Sequence, residues 1–141
     1  MKKHYHLIGI NGIGVSGVAR ILLEEGHIVS GSDPNSSPLT DKLREMGATI
    51  YHDHKEENIK GADCLVVSSA IPYDNPEVIA ARRDGIPIFH RAEVLGHIMR
   101  GRTGIAISGT HGKTTTSSMV ACMLNYNRLD PTIVVGGELN G

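Results

Sequence analysis

The chain has 141 residues, of which 40% are hydrophobic, so it is long enough for one ordinary domain with a buried core and a little more. Its net charge of -1 gives no electrostatic reason to expect a nucleic-acid or membrane partner, and no apolar run approaches the roughly 20 residues needed to cross a bilayer. The two cysteines, Cys64 and Cys122, stand apart in apolar segments, which predicts buried free thiols and a reducing cytoplasm.

Eight histidines could supply metal ligands. Two pairs are separated by one residue, His4 with His6 and His52 with His54, but no cysteine or carboxylate pattern completes a zinc site around them. We therefore expect surface histidines near strand ends and no zinc site.

Short apolar runs alternate with helical segments along the first hundred residues. The predicted strands cover residues 7–10, 28–32, 49–51, 64–67 and 87–89. The predicted helices cover about 15–25, 37–47, 75–85 and 92–99, with capping residues and glycine stops at Ser37, Asn75, Gly26, Gly47 and Gly85. This alternation indicates parallel pairing with right-handed crossovers, so we expect an α/β, Rossmann-like open sheet.

A second unit is predicted after a polar joint at residues 100–102. Its elements are a strand at 105–108, a helix at 113–126 and a strand at 133–135. A lone strand–helix–strand is too small to bury its own sheet. We therefore expect a complete first domain, residues 1–101, and the beginning of a P-loop ATPase domain, residues 102–141, that is cut short after Gly141.

The start of the helix at 113–126 follows the sequence Gly109-Thr110-His111-Gly112-Lys113-Thr114-Thr115. Its two glycines let the backbone turn tightly, and the following helix adds its positive end, as a nucleotide phosphate loop requires. Lys113 is placed to reach the β- and γ-phosphates, and the Thr114 hydroxyl is placed to bind Mg²⁺. The general pattern G-x-x-x-x-G-K-[ST] has a further glycine where this chain has Ile107. A turn that only caps a helix is the alternative.

A second glycine-rich turn, Gly9-Ile10-Asn11-Gly12-Ile13-Gly14, follows the first strand and opens the first helix. It matches the fingerprint G-x-G-x-x-G except at Asn11, where a glycine normally lets a pyrophosphate approach the backbone. Asp33 ends the second strand, where an acid would bind a ribose hydroxyl, and Ser68 and Ser69 follow the fourth strand. These residues alone support an NAD-binding domain, with a polar turn as the alternative for the two serines.

The loop at 109–115 resembles that of the Mur ligases, the cell-wall peptide-adding enzymes, which also lack the first glycine. The resembling stretches cover residues 8–17, 29–33, 61–76, 91–93, 136–137 and 139–140. They span nearly the whole chain, in the family's order, and correspond to roughly the first third of a complete ligase. His111, where many members carry Asn, resembles the subgroup that joins L-alanine to UDP-N-acetylmuramate.

This resemblance implies that the first domain holds the UDP part of UDP-N-acetylmuramate, with contacts from Asn11, Gly12, Ile13, Gly14, Asp33, Ser68 and Ser69. It implies an ATP site at Gly109, Thr110, His111, Gly112, Lys113, Thr114 and Thr115, with Lys113 catalytic and Thr114 a ligand of Mg²⁺. In the implied mechanism ATP phosphorylates the lactyl carboxylate of the sugar nucleotide. The amine of L-alanine then attacks the acyl phosphate to form an amide.

The resemblance leaves several points open. The family usually has glycine in place of Asn11, and Arg91 with Glu93 either matches a family motif or forms only a charge pair at a helix start. One alternative is a relative that attaches a recycled peptide to the same sugar nucleotide, although the stretch 12–17 argues against it. Another is a non-catalytic nucleotide-binding module. Because a later metal-binding carboxylate and a C-terminal domain would lie beyond Gly141, we expect this chain alone to bind substrate without catalysis.

Overall fold

A computed structural model describes residues 1–135 of the chain. Five strands form one sheet: β1 (His4–Ile8), β2 (Ile28–Ser32), β3 (Thr49–Tyr51), β4 (Cys64–Val67) and β5 (Ile88–His90). Their order is β3-β2-β1-β4-β5, and all neighbours pair in parallel. The chain therefore winds outward from β1 in both directions, which confirms the expected doubly wound α/β sheet.

Helices connect and follow the strands: α1 (Ile13–Glu24), α2 (Pro38–Glu45), α3 (Pro76–Arg83), α4 (Arg91–Met99) and α5 (Lys113–Tyr126). Ser37 and Asn75 cap α2 and α3, as predicted, because each side-chain oxygen accepts a backbone N–H of the first turn. The predicted stops are confirmed by positive φ angles at Gly26, Gly47 and Gly85. No helix in this part of the chain is long and apolar enough to cross a membrane.

Apolar side chains cover both faces of the sheet. On one face Leu7 and Val29 pack with residues of α1, α2 and α4, including Val18, Leu22 and Leu43. On the other face Ile8 and Leu65 pack with α3 and with a short 3-10 helix at Glu56–Ile59. Leu7 and Ile8 are neighbours in β1 and are both fully buried, so the central strand is covered on both sides.

The α3 face also contains a polar group of residues, the Glu77 cluster, which consists of the buried His6, Ser32, Asn58 and Glu77 and the partly exposed His54. The Glu77 carboxylate is completely buried. One oxygen accepts from His6 Nε2 at 3.1 Å and Asn58 Nδ2 at 2.9 Å. The other accepts from Ser32 Oγ at 2.6 Å and His54 Nδ1 at 3.0 Å. A buried carboxylate with four donors satisfies the hydrogen-bonding demand that burial imposes.

The charge of Glu77 is retained despite its burial. Burial raises the pKa of the Glu77 carboxyl, but the hydrogen bonds from His6, Ser32 and Asn58 outweigh it and hold the pKa below its usual value. The cluster therefore ties α3, through an ionised group, to β1, β2 and the segment after β3.

The expectation of surface histidines is wrong for His6, which is fully buried. His6 lies two residues before Ile8, so strand alternation turns its side chain to the α3 face, where Glu77 and Ser30 receive it. Among residues 1–135 no group of three or more His, Cys, Asp or Glu side chains is placed to hold a metal ion.

The second unit agrees with the prediction only in its helix. α5 has the predicted bounds, but residues 105–108 and 133–135 pair with no strand among the described residues, so both predicted strands are wrong in this structure. An extended segment becomes a strand only when a neighbour completes its hydrogen-bond ladder, and β1–β5 form the sheet of the described chain. The division at residues 101 and 102 stays a prediction, and the stretches at 136–137 and 139–140 lie outside the described residues.

The two cysteines are both free, but only one is buried. Burial raises the pKa of the Cys64 thiol to about 11, so this side chain is a neutral, unreactive thiol. The prediction of burial is wrong for Cys122, which is exposed on α5. The reason is that α5 buries little of its surface, with Ala121 as its buried residue.

Replacing Glu77 with Gln tests the charge in this cluster. At pH 7 we expect Glu77→Gln to lower the free energy of unfolding by about 3 kcal/mol, because it leaves buried partners without their anion. The pKa of Glu77 is depressed in the folded state, so its contribution is present above the unfolded value of 4.5 and is lost as the pH falls through the lower folded pKa.

Urea unfolding between pH 7 and pH 3 measures this effect. The difference between wild type and Glu77→Gln should begin to shrink below about pH 4.5, where the carboxylate of the unfolded chain gains a proton, and it should disappear as the pH falls through the lower folded pKa. Glu45→Gln, an exposed glutamate on α2, is the control and should behave as wild type. A stability difference that is independent of pH would contradict the assignment of a buried charge.

Candidate functional site

Three loops and one arginine meet at the carboxyl edge of the sheet. The glycine loop (residues 9–14) follows β1, the acid loop (33–37) follows β2 and the serine loop (68–71) follows β4, while Arg91 comes directly after β5. Because all five strands are parallel, they deliver these segments to the same edge. The strand order reverses beside β1, and open α/β sheets bind their ligands at that point.

The glycine loop is fixed from both neighbouring strands. The Ser32 carbonyl of β2 accepts the N–H groups of Gly9 at 2.8 Å and Ile10 at 3.3 Å. Gly9 has φ +74°, and a Cβ added there would lie 3.3 Å from Ile71 Cδ1, so the glycine loop packs against the serine loop. Gly12 is the N-cap of α1 and brings no side chain to the helix start. The first N–H groups of α1 therefore lie at this edge without a capping side chain, as an anion site requires.

Asp33 connects the glycine loop to the acid loop. Its carboxylate is almost fully buried and accepts the backbone N–H of Asn11 at 3.1 Å and of Asn35 at 2.9 Å. The bond from Asn11 joins the two loops, whereas the bond from Asn35 lies within the acid loop. A carboxylate has about four acceptor positions, so Asp33 keeps the capacity to accept a further hydroxyl.

The side chain of Asn11 adds a second connection between the same loops. Its Oδ1 accepts a hydrogen bond from Ser37 Oγ, and we call this contact the Asn11–Ser37 tie. Ser37 Oγ also accepts the N–H of Leu39 at 3.2 Å, which caps α2. Asn11 therefore replaces the open space of the fingerprint's second glycine with a link to the N-terminus of α2.

Arg91 is a further residue at this edge. The sequence motif at 91–93 includes it, but the predicted UDP contacts do not. A Cβ added at Gly14 would lie 1.6 Å from Arg91 Nη1, so the guanidinium occupies the space that any side chain at Gly14 would need. This places a cation beside the first turn of α1, where the helix dipole is already positive. Glu93 has a separate task, because its carboxylate accepts the His90 N–H at 2.6 Å and caps α4.

The phosphate loop at 109–115 has the backbone of a tight turn before a helix. Gly112 is the N-cap of α5 with φ +75°, and Gly109 has φ +153°, conformations that favour glycine. The Lys113 ammonium donates to the Gly109 carbonyl across the turn. Every residue of the loop is exposed, so its N–H groups and Lys113 are open to a phosphate from solvent. These features fit a nucleotide phosphate, and the individual ATP and Mg²⁺ contacts stay predictions.

A family model described as the Mur ligase family, catalytic domain, matches residues 4–103, which is well over half of the chain. The chain belongs to the Mur ligase family.

Curated Mur ligases that resemble the chain include UDP-N-acetylmuramate–L-alanine ligases from two bacteria. The Clostridium acetobutylicum enzyme is 55% identical over 141 residues, and the match covers 99% of this chain and 31% of that enzyme. The Solibacter usitatus enzyme is 53% identical over 137 residues, and the match covers 97% of this chain and 29% of that enzyme. The chain therefore spans about 30% of the length of the curated relatives it matches.

Solved Mur ligase structures show the same fold. The UDP-N-acetylmuramate:L-alanyl-gamma-D-glutamyl-meso-diaminopimelate ligase from Neisseria meningitides superposes with a TM-score of 0.91 at 31% identity, covering 99% of this chain and 44% of that chain. The UDP-N-acetylmuramate-alanine ligase from Thermotoga maritima superposes with a TM-score of 0.83 at 35% identity, covering 89% and 30%. The fold is thus common to ligases that add different groups.

Replacing Ser37 with Ala tests how the edge loops are held. The variant loses both the α2 cap and the Asn11–Ser37 tie, so we expect the free energy of unfolding to fall by about 1–2 kcal/mol. Amide exchange at Leu39 should accelerate, because its hydrogen-bond acceptor is gone. Asn11→Ala removes the tie and keeps the cap, so its effect should be smaller.

Ser36→Ala is the matched control, since the exposed Ser36 hydroxyl lies 3.5 Å from His52 Nδ1 and caps no helix. Urea unfolding and hydrogen exchange are measured on Ser37→Ala, Asn11→Ala and Ser36→Ala. Equal stabilities for Ser37→Ala and Ser36→Ala would show that the Ser37 hydroxyl does not hold the two loops.

Proposed function

We propose that the protein is, in its complete form, an ATP-dependent ligase that joins L-alanine to the lactyl carboxylate of UDP-N-acetylmuramate in peptidoglycan precursor synthesis. The observation that carries this proposal is identity of 51–55% to UDP-N-acetylmuramate–L-alanine ligases along almost the whole chain. The peptide-adding ligase of Neisseria meningitides is 31% identical. Its higher TM-score does not decide the substrate, because the fold is common to both kinds of ligase.

The carboxyl edge of the sheet suits the UDP part of the sugar nucleotide. A diphosphate carries negative charge, and the start of α1 and the Arg91 guanidinium provide positive potential on either side of Gly14. We assign the remaining contacts to Asn11, Gly12, Ile13, Asp33, Ser68 and Ser69, which lie on the loops that meet there. Arg91 is added to this set on the basis of its position.

The phosphate loop suits the transfer step. The γ-phosphoryl group of ATP passes to a carboxylate oxygen of the lactyl group, and ADP leaves. The amine of L-alanine then attacks the carbonyl carbon of the acyl phosphate, inorganic phosphate leaves, and an amide forms. Lys113 must exchange the Gly109 carbonyl for a phosphate oxygen, and its charge then stabilises the transferred group. Mg²⁺, when bound through the Thr114 hydroxyl and phosphate oxygens, would neutralise further charge.

The described residues account for only part of this reaction. We propose that this chain supplies substrate binding and the start of the ATP site. Selection of the amino acid belongs to the portion of the relatives that the chain does not match. We place the reaction in the cytoplasm, with support from two cysteines that remain free thiols.

Calorimetry on the 141-residue chain tests the proposed nucleotide specificity. UDP-N-acetylmuramate should bind, and NAD should not. Tight NAD binding without any response to UDP compounds would overturn the assignment and favour a dinucleotide-binding module.

Arg91 and Gly14 provide a sharper test of where the diphosphate lies. We expect Arg91→Ala to weaken UDP-N-acetylmuramate binding about tenfold or more, since a hydrogen bond to a charged group contributes about 1.5–3 kcal/mol. Gly14→Ala should have a similar effect because it displaces the guanidinium.

The double variant should bind no more weakly than Gly14→Ala alone, because both changes remove the same contact. Arg100→Ala, an exposed arginine at the end of α4, is the charge-matched control and should bind as wild type. Additive losses would show that Arg91 and Gly14 act separately.

Lys113 and Thr114 are tested by the kinetics of ADP release in the complete enzyme. Lys113→Ala should lower kcat at least about a hundredfold, because this charge matters most as the phosphoryl group transfers. Thr114→Ala should lower activity at low Mg²⁺ and recover part of it at high Mg²⁺, since the hydroxyl is one ligand among several.

Thr116→Ala is a control, because Thr116 is an exposed threonine of the same helical turn and lies outside the phosphate loop. Neither Lys113→Ala nor Thr114→Ala should change UDP-N-acetylmuramate affinity. A near-normal kcat in Lys113→Ala would remove the loop at 109–115 from the chemistry.

A further inference from the structure

The two histidines of β1 belong to one continuous hydrogen-bonded chain through Ser30 of β2. His4 Nδ1 lies 2.9 Å from the Gly61 carbonyl oxygen, and His4 Nε2 lies 2.8 Å from Ser30 Oγ. The same Ser30 oxygen lies 2.7 Å from His6 Nδ1. The chain ends where His6 Nε2 meets Glu77 Oε1 at 3.1 Å. All four ring nitrogens therefore have a polar partner at hydrogen-bond distance.

The two ends of this chain fix where hydrogens must be. The Gly61 carbonyl has no hydrogen to donate, so His4 Nδ1 must carry one. An ionised Glu77 likewise only accepts, so His6 Nε2 must carry one. Each terminal contact thus requires one ring N–H.

The contacts of Ser30, in the middle of this hydrogen-bonded chain, require a third ring N–H. The Ser30 hydroxyl has one hydrogen and lies between His4 Nε2 and His6 Nδ1, so it can donate to only one of them. The other nitrogen must donate to Ser30 Oγ, or two lone pairs would face each other at less than 3 Å. The hydrogen-bonded chain therefore needs three ring N–H groups on His4 and His6, whereas two neutral imidazoles have two.

We propose that His4, Ser30 and His6 form a proton-binding site in which the two histidines share one extra proton at neutral pH. The resulting imidazolium faces the Glu77 carboxylate as a buried ion pair. The ligand of this site is a single proton, and the inference does not depend on the ligase activity.

Burial and charge support this assignment. His6 and Glu77 are fully buried and Ser30 is 3% exposed, so an unmatched acceptor pair or an unpaired carboxylate would be costly there. If Glu77 carried the extra proton and donated it to His6 Nε2, all four contacts would also be satisfied, with both histidines neutral. Its two oxygens, however, also accept from Asn58 Nδ2 and Ser32 Oγ, and these donors stabilise the ionised form.

The surroundings define how the proton enters. His54 shares the Glu77 carboxylate, the Tyr51 ring centroid is 6.2 Å from that of His6, and Asp63 accepts the His4 backbone N–H at 2.7 Å. His4 is half-buried, whereas His6 has no exposed surface. The hydrogen-bonded chain therefore meets solvent at His4, and its Glu77 end meets solvent at His54, whose side chain is 29% exposed.

Nuclear magnetic resonance on the chain with nitrogen-15-labelled histidine tests the count of hydrogens. At pH 7 the wild type should show three ring N–H groups over His4 and His6, assigned with His4→Gln and His6→Gln. Two ring N–H groups in the wild type would overturn the proposal without any further variant.

Ser30→Ala tests the cause of the extra proton. Without the hydroxyl, His4 can donate to Gly61 and His6 to Glu77 as two neutral rings, so the count should fall to two. Ser36→Ala, at an exposed serine, should keep three. Three ring N–H groups in a folded Ser30→Ala would show that Ser30 does not impose the protonation, and would also overturn the proposal.

Discussion

The buried carboxylate of Glu77 is the contact on which one whole side of this domain depends. It joins α3 to β1 through His6, to β2 through Ser32, and to the segment between β3 and β4 through Asn58 and His54. The same Ser32 holds the glycine loop with its backbone carbonyl. Ser32 therefore connects the interior charge directly to the glycine loop at the carboxyl edge of the sheet. A hydrophobic residue of similar volume in place of Glu77 would leave several polar side chains that face α3 without a partner.

The candidate site departs from a dinucleotide site in two opposite ways. Asn11 closes the space of a fingerprint glycine and ties the glycine loop to the N-terminus of α2. At Gly14, the guanidinium of Arg91 occupies the space that a side chain would need, and Arg91 directly follows the edge strand β5. The first change stiffens the loop and the second adds positive charge. Both features lie at the start of α1, where we propose that the diphosphate binds.

Local sequence signals determined most of the first domain. Ser37 and Asn75 predicted helix starts and Gly26, Gly47 and Gly85 predicted helix ends, because caps and left-handed turns depend on a few adjacent residues. The burial of His6 was also encoded locally, in its alternation with Ile8, but its partners Ser30 and Glu77 are distant in sequence.

What could not be predicted depends on pairing between remote segments. Residues 105–108 have the apolar pattern of a strand, but a strand also needs a neighbour, which the pattern does not supply. Cys122 occupies an apolar stretch whose covering surface the pattern cannot reveal. The position of Arg91 over Gly14 follows from the strand order, since β5 and β1 are brought near each other only when β4 pairs with both.

The shared space between Gly14 and Arg91 also makes the history of the two positions interdependent. The Arg91 guanidinium can hold this position only while residue 14 is glycine, because a methyl group there would move it aside. The effect of a change at 14 therefore depends on whether residue 91 is an arginine. This is epistasis between residues that belong to different strands' loops, and its physical basis is the volume of a single methyl group.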